Sequence, residues 1–164
     1  MKNSILVAVI LVIILGSLVW LAAPKSGEGE LDNEPVTSTT SLSADKTFYD
    51  FGTISMKDGK VSTVFVLTNG TDSPVNTTKL YTSCMCTTAQ FKQGEQTSDE
   101  FGMPGHGSVP PMVRTIAAGE TVEIVATFDP AAHGPAGVGV IERVIRLETD
   151  KGVTELNFRT NVIP

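Results

Sequence analysis

Shortages of cysteine and of basic residues narrow the function classes open to this chain. Of 164 residues, 2 are cysteine and 12 are lysine or arginine, against 18 acids, so the net charge is −6. No basic cluster is available to neutralise phosphates, which argues against nucleic acid as a partner. The two cysteines do not form a Cys-x-x-Cys pair, so the thioredoxin-like redox motif is absent.

Common catalytic motifs are also missing. The sequence has no His-Glu-x-x-His, no Gly-x-Ser-x-Gly and no phosphate-binding loop with a lysine. Gly134–Gly139 is rich in glycine, but no helical pattern follows it, so we interpret it as a turn before a strand. We therefore expect a protein that is not an enzyme.

What the sequence does contain begins with an apolar run, Ser4–Ala23. About 20 apolar residues in a helix span the hydrocarbon core of a bilayer, and the apolar part of a cleaved signal peptide is shorter. Residues 1–23 are therefore predicted to be a transmembrane anchor, with a cleaved export signal as the alternative. Lys2 before the run and several acids after it favour an inside N-terminus. We expect a single pass through the cytoplasmic membrane and an extracytoplasmic C-terminal domain, in the periplasm or at the cell surface.

Residues 24–44 follow this run and are rich in proline, glycine, serine, threonine and acids. Such a segment has too few large apolar residues to offset the entropy lost on ordering, so it is predicted to be a flexible linker. Residues 45–164 remain as one domain of ordinary size.

This domain shows the two-residue periodicity of β-strands, interrupted by turn residues. In Thr121–Phe128, for example, Val122, Ile124, Ala126 and Phe128 share one face. Several short strands without a convincing helix predict an all-β, antiparallel sandwich. The predicted strands are Thr47–Ile54, Val61–Thr68, Pro74–Cys86, Thr121–Phe128, Val140–Glu148 and Val153–Val162.

The segment 91–113 departs from this pattern. It is dense in glycine and proline and has no alternation. Connections of this length without structure are uncommon in compact domains, and they are usually functional or disordered. We predict a long loop here.

Five short motifs in this domain occur in an order that resembles a known family. They are Tyr49–Ile54, Leu67–Gly70, Ser83–Thr87, Ala118–Glu120 and Thr127–Asp129. The family consists of uncharacterised exported bacterial domains with a Ser-Cys-Gly-Cys-Thr signature. The resemblance covers roughly residues 46–162, and it implies export and an immunoglobulin-like sandwich fold but no activity. Met85 stands where the family usually has glycine, which adds a third sulfur.

The two cysteines, Cys84 and Cys86, are separated by one residue. On a strand, side chains at such positions point to the same face. Two neighbouring thiols can hold a soft metal ion, form a strained disulfide or fill a core.

Histidines and methionines on glycine- and proline-rich turns supply further candidate ligands. Thiolate, thioether and imidazole together suit copper(I) best and zinc next. We predict a metal site in which Cys84 and Cys86 are the thiolate ligands. The candidate loop ligands are His106 and Met103, followed by His133 and Met112.

The resulting hypothesis is a membrane-anchored domain that carries or sequesters copper(I) and delivers it to a neighbouring membrane protein. Each candidate ligand could instead have a purely structural role. The first alternative is a non-enzymatic interaction or scaffold module that binds another protein of the cell envelope. The second alternative is a redox partner in which Cys84 and Cys86 cycle between dithiol and disulfide.

Overall fold

The computed structural model describes residues 41–106 and 109–164, which fold into ten strands and two short 3-10 helices. In this part of the chain no helix is long and apolar enough to cross a membrane. The predicted anchor, residues 1–23, lies outside the described residues. The strands are β1 (Leu42–Ala44), β2 (Phe48–Ser55), β3 (Val61–Asn69), β4 (Val75–Thr82), β5 (Thr87–Gln93), β6 (Gln96–Thr97), β7 (Thr115–Ile116), β8 (Thr121–Phe128), β9 (Gly139–Thr149) and β10 (Gly152–Ile163).

These strands form two five-stranded sheets, in the orders β1-β3-β8-β5-β6 and β2-β10-β9-β4-β7. The first four strands of one sheet and the β10-β9-β4 run of the other match the strand order of an immunoglobulin-like sandwich. The all-β prediction is therefore confirmed. One detail differs from the expected antiparallel sandwich, because β2 pairs in parallel with β10.

The core lies between the two sheets and follows from the alternation in the sequence. Along β8, buried and partly exposed residues alternate, and the four apolar residues predicted to share a face are all buried. Phe65, Phe91 and Phe158 are the largest fully buried side chains. Burial of each such side chain contributes about 1.5–3 kcal/mol to the stability of the fold. The core therefore stabilises the two sheets from which the loops extend.

Two predicted boundaries are wrong. The strand predicted over Pro74–Cys86 ends at Thr82, and a separate strand, β5, starts at Thr87. The physical reason is that β4 and β5 belong to different sheets, so the chain must turn between them. Leu42–Ala44, assigned from the sequence to the linker, forms β1 and pairs with β3.

The segment 91–113 is more ordered than its composition suggested. Its first residues continue β5, which makes a hairpin with β6. Phe101 then forms an isolated bridge with Ala89. Phe101 and Met112 are both buried in the core, so apolar side chains attach this long connection to the sandwich.

Candidate metal centre

Cys84 and Cys86 lie on the turn that carries the chain from β4 to β5. The Thr87 N–H donates to the Cys84 carbonyl oxygen at 3.1 Å, which closes a four-residue turn. The buried Thr82 hydroxyl donates to the carbonyl oxygens of Thr87 at 2.8 Å and Cys84 at 3.1 Å. The turn is therefore held from inside the sandwich.

This turn brings the two thiols together. The Cys86 thiol donates to Cys84 Sγ, and the sulfur atoms are 2.7 Å apart. Both cysteines are free thiols. Cys86 is buried at 3% exposure, whereas Cys84 is half-buried and Met85 between them is 49% exposed. The expectation that both sulfurs face the same way is met, but a turn rather than a strand achieves it.

His133 reaches the thiols from the connection between β8 and β9. Since Thr87 pairs with Phe128, the turn before β5 and the loop after β8 lie at the same end of the sandwich. The Asp129 N–H donates to the Cys86 carbonyl oxygen at 2.8 Å, which ties the two segments together. His133 Nε2 then lies 3.1 Å from Cys84 Sγ.

Gly137 allows His133 to sit close to its own loop. A Cβ atom at position 137 would lie 3.3 Å from His133 Cβ and 3.5 Å from the Pro130 carbonyl oxygen. Contacts near 3.3 Å are tighter than ordinary carbon packing, so a side chain at this buried position would displace the histidine.

Arg143 on β9 completes the site, and sequence reasoning missed it. Its half-buried side chain extends to the thiols, where Nε–H donates to Cys86 Sγ at 3.2 Å. Nη1–H donates to the Glu142 carbonyl oxygen at 2.7 Å. One feature of the sequence could have pointed to Arg143. In a strand it shares a face with the apolar residues Ile141 and Ile145, which lie two positions before and after it.

The two thiols are electrostatically unlike. Burial by itself would raise the pKa of Cys84. The pKa is nevertheless lowered from 9.0 to about 7, because Cys84 Sγ receives hydrogen bonds from the Cys86 side chain, the Cys86 backbone and His133, and because the charge of Arg143 lies nearby. Burial raises the pKa of Cys86, and the neighbouring Cys84 sulfur adds to this although Arg143 opposes it. The site therefore favours a thiolate at Cys84 first.

The ligand atoms of Cys84, Cys86 and His133 all lie within 4.8 Å of one another. In the described residues, this group does not include His106, which is exposed on its own turn. Met112 is buried in the core. Met103 is half-buried, and the backbone beside it does approach the cysteine turn, because the Thr82 N–H donates to the Gly102 carbonyl oxygen at 3.1 Å.

A small cavity adjoins the turn. Its volume is about 90 Å³, and Met85 and Cys86 form part of its wall. Binding pockets for organic ligands usually measure about 300–1,000 Å³, so this space suits an ion or a few solvent molecules. The other lining residues are Lys60, Thr88, Thr127, Asp129 and Ala132.

Residues 42–102 match the profile of a family described as "Protein of unknown function (DUF1573)". The match includes both cysteines and ends before His133 and Arg143. This match supports a similarity to a domain family without an assigned function, and it does not show the Ser-Cys-Gly-Cys-Thr signature. No curated protein is significantly similar to the chain in sequence.

Solved structures support the fold. A protein of unknown function from Porphyromonas gingivalis W83 is similar with a TM-score of 0.54 and 14% identity over 79% of this chain, which spans about half (51%) of that protein. A family 123 glycoside hydrolase from Clostridium perfringens has a TM-score of 0.53 and 9% identity over 76% of this chain and 27% of the hydrolase. A PapD-like domain of human CEP192 has a TM-score of 0.44 and 13% identity over 77% of this chain and 87% of that domain. At these identities the first two comparisons define a β-sandwich class and no activity.

Proposed function

We propose that this chain binds one soft metal ion, copper(I) in preference to zinc, through Cys84, Cys86 and His133. The convergence of two thiol sulfurs and one imidazole nitrogen within 4.8 Å carries this proposal. Thiolate ligands select copper(I) among the common biological metals, and imidazole is compatible with both ions.

The donor atoms need only a small rearrangement to accept an ion. Two sulfurs bound to one metal at about 2.3 Å lie roughly 3.7–4.0 Å apart, so the thiols must separate by about 1 Å from their present 2.7 Å. Cys84 is half-buried and His133 is exposed, so both side chains have room to rotate. The buried Cys86 then serves as the fixed ligand.

The proposed role is carriage or sequestration without catalysis. The small cavity beside Cys86 fits this role, because its volume of about 90 Å³ gives room for an ion or solvent next to that ligand. The apolar run Ser4–Ala23 supports an anchor in the cytoplasmic membrane, with this domain outside the cytoplasm. In that arrangement a neighbouring membrane or envelope protein is the partner that would receive the ion.

Native mass spectrometry of the reduced full-length chain with copper(I) tests this proposal. We expect one tightly bound equivalent, which Cys84→Ser and Cys86→Ser each abolish. His133→Ala should weaken binding by about tenfold or more, because it removes a ligand and the loss of even an outer-shell partner typically costs 10–100-fold in metal affinity. His106→Ala is the matched control, since this histidine also lies on a glycine- and proline-rich turn, and it should bind normally. Unchanged binding in Cys84→Ser would reject the site.

Thiol–disulfide exchange is the second candidate, and the short distance between the sulfurs favours it. The half-buried Cys84 thiolate would attack a small-molecule disulfide and release one thiolate. Cys86, after losing its proton, would then attack Cys84 Sγ, release the second thiolate and close a Cys84–Cys86 disulfide. A measured reduction potential near that of the compartment would favour this role over metal binding.

A further inference from the structure

We infer that Arg143 makes the Cys84–Cys86–His133 site selective for a monovalent soft cation, such as copper(I) or silver(I), over a divalent one. This inference rests on the proposed metal-binding function, and it names the residue that determines whether a monovalent or a divalent ion is preferred. It assigns to Arg143 a role in specificity, acting through the thiolates rather than as a ligand.

The surroundings of Arg143 suggest that it is a counter-charge for sulfur. Arg143 donates to Cys86 Sγ at 3.2 Å and to the Glu142 carbonyl oxygen at 2.7 Å, and it also interacts with the Cys84 side chain. None of these partners is a carboxylate. A half-buried guanidinium normally requires an anionic partner. Here Cys86 Sγ, with Cys84 Sγ beside it, supplies that negative charge once both sulfurs bind a metal as thiolates.

Charge balance then distinguishes the two classes of ion. A site of two thiolates and a neutral imidazole carries two negative charges. A monovalent ion leaves the site with one negative charge, which the guanidinium neutralises. A divalent ion leaves the site neutral, so the positive charge of the Arg143 guanidinium beside it is then unfavourable. Because Cys86 is buried at 3% exposure, solvent screens this difference only partly.

Arg146 provides a matched control on the same strand. It lies three residues along β9, and its Nε–H donates to Glu155 Oε1 at 2.6 Å, so its charge is already paired with a carboxylate. Its removal should lower the positive charge of the protein by the same amount without affecting the thiols.

The test measures affinities for copper(I), silver(I) and zinc(II) in the reduced full-length chain, by competition with chromophoric chelators. For Arg143→Met we expect about tenfold or greater loss of affinity for both monovalent ions, since opposite charges a few ångströms apart attract strongly at an effective dielectric constant of about 20. Zinc affinity should stay the same or rise. Arg143→Lys should retain most copper(I) affinity, and Arg146→Met should leave the ratio unchanged.

The outcomes separate this inference from the proposal beneath it. If the wild-type chain binds none of the three metals, the proposed function fails and this inference fails with it. The wild-type chain could instead bind copper(I), while Arg143→Met either lowers the affinities for copper(I) and zinc equally or lowers neither. In both cases the site stands and the role of Arg143 is rejected. Thermal unfolding of each variant shows whether a loss of binding reflects loss of the fold. If Arg143→Met does not fold, the copper(I) and zinc affinities of Arg143→Lys decide whether the role of Arg143 stands.

Discussion

Cys84 and Cys86 differ at the residue scale, although they share one turn. Cys84 is half-buried and accepts a hydrogen bond from the Cys86 thiol, while Cys86 is buried and contacts Arg143. A thiolate rather than a thiol is the nucleophile and the metal ligand, so the residue with the lower pKa reacts first. This asymmetry can be measured before any metal is added.

We expect alkylation of the reduced protein by iodoacetamide to occur first at Cys84. Its rate should rise about tenfold per pH unit below the Cys84 pKa of about 7 and level off above it. The sign follows from the shift, because a pKa lowered from 9.0 leaves more thiolate at neutral pH. Peptide mass spectrometry after timed alkylation at several pH values gives the profile.

Two comparisons make the alkylation result specific. In Cys86→Ala the midpoint for Cys84 should move upward, because the thiol that donates to Cys84 Sγ is gone. Cys86 in the wild-type protein should react more slowly than Cys84 at neutral pH, since burial raises its pKa. A Cys84 midpoint near 9, or equal rates at the two residues, would contradict this account of the site.

At the scale of elements, the site depends on two connections that cross between the sheets. One is the turn from β4 to β5, and the other is the loop from β8 to β9 that carries His133. The second loop ends in a 3-10 helix, Gly134–Gly137. Its last glycine is buried beside His133, so the packing of this loop determines where the imidazole lies.

Replacement of this glycine tests the role of loop packing. In Gly137→Ala the new methyl group would contact His133 Cβ at 3.3 Å, and the histidine must shift by a few tenths of an ångström. The side chain of His133 can rotate, but a shift of its Cβ moves the region that the imidazole can reach, and a formed site needs ligand distances within about 0.2 Å of the ideal values, so copper(I) affinity should fall roughly threefold to tenfold. Stability should fall by about 1 kcal/mol, which is at the low end for overpacking.

Gly70→Ala is the control for this substitution. Position 70 has open space around a Cβ atom and no left-handed backbone angle, so both copper(I) affinity and stability should be almost unchanged. Chelator competition and denaturant unfolding measure the two quantities. Full copper(I) affinity in Gly137→Ala would show that His133 does not need this packing or is not a ligand.

The sequence predicted elements well where the structure depends on local pattern. The alternation over Thr121–Phe128 matches β8, because each strand buries one face on the core. The strand predicted over Pro74–Cys86 failed because the change of sheet at Ser83 depends on distant partners. The Ser83 N–H donates to the Val144 carbonyl oxygen, a contact that no local pattern reveals.

The same limit applies to the site. Both thiols were evident from their spacing, and His133 was one of two histidines on similar turns. The residue that distinguishes these turns is Thr87, since its pairing with Phe128 places the His133 loop beside the cysteines. Arg143 lies 57 residues from Cys86, and only the register of β9 against its neighbours shows that the two meet.

At the scale of the whole molecule, the end of the sandwich opposite the thiols is held by a buried asparagine. Asn69 is fully buried, and its Nδ2 is directed at the carbonyl oxygens of Ser73 at 2.9 Å, Ile116 at 3.0 Å and Ala117 at 3.0 Å. Its Oδ1 accepts from the Thr71 N–H and hydroxyl. This side chain therefore joins the loop after β3 to the residues before β8.

Loss of this amide should destabilise the fold without affecting the metal site. Asn69→Ala removes a fully buried amide that donates to three carbonyl groups and accepts from Thr71, so the free energy of unfolding should fall by about 2–4 kcal/mol. The strands between the two ends are about eight residues long, or roughly 25 Å, so copper(I) affinity should not change. Asn161→Ala is the control, since its exposed amide makes one weak contact of 3.5 Å with Thr53 Oγ1. A wild-type melting temperature in Asn69→Ala would contradict this role.

For a substitution far from the site, such as Asn69→Ala, metal binding and fold stability are then linked only through occupancy of the site. Copper(I) at a hundred times its dissociation constant should stabilise the native state by about 2.7 kcal/mol, which raises the melting temperature of a domain of this size by roughly 10 °C. Asn69→Ala should gain the same free energy as the wild-type chain, since distant sites act additively. Cys84→Ser should gain none. Thermal unfolding of the reduced proteins with and without copper(I) measures all three. A smaller gain in Asn69→Ala would mean that the two ends of the sandwich are coupled, because the metal site would then depend on the far loop as well as on its own turn.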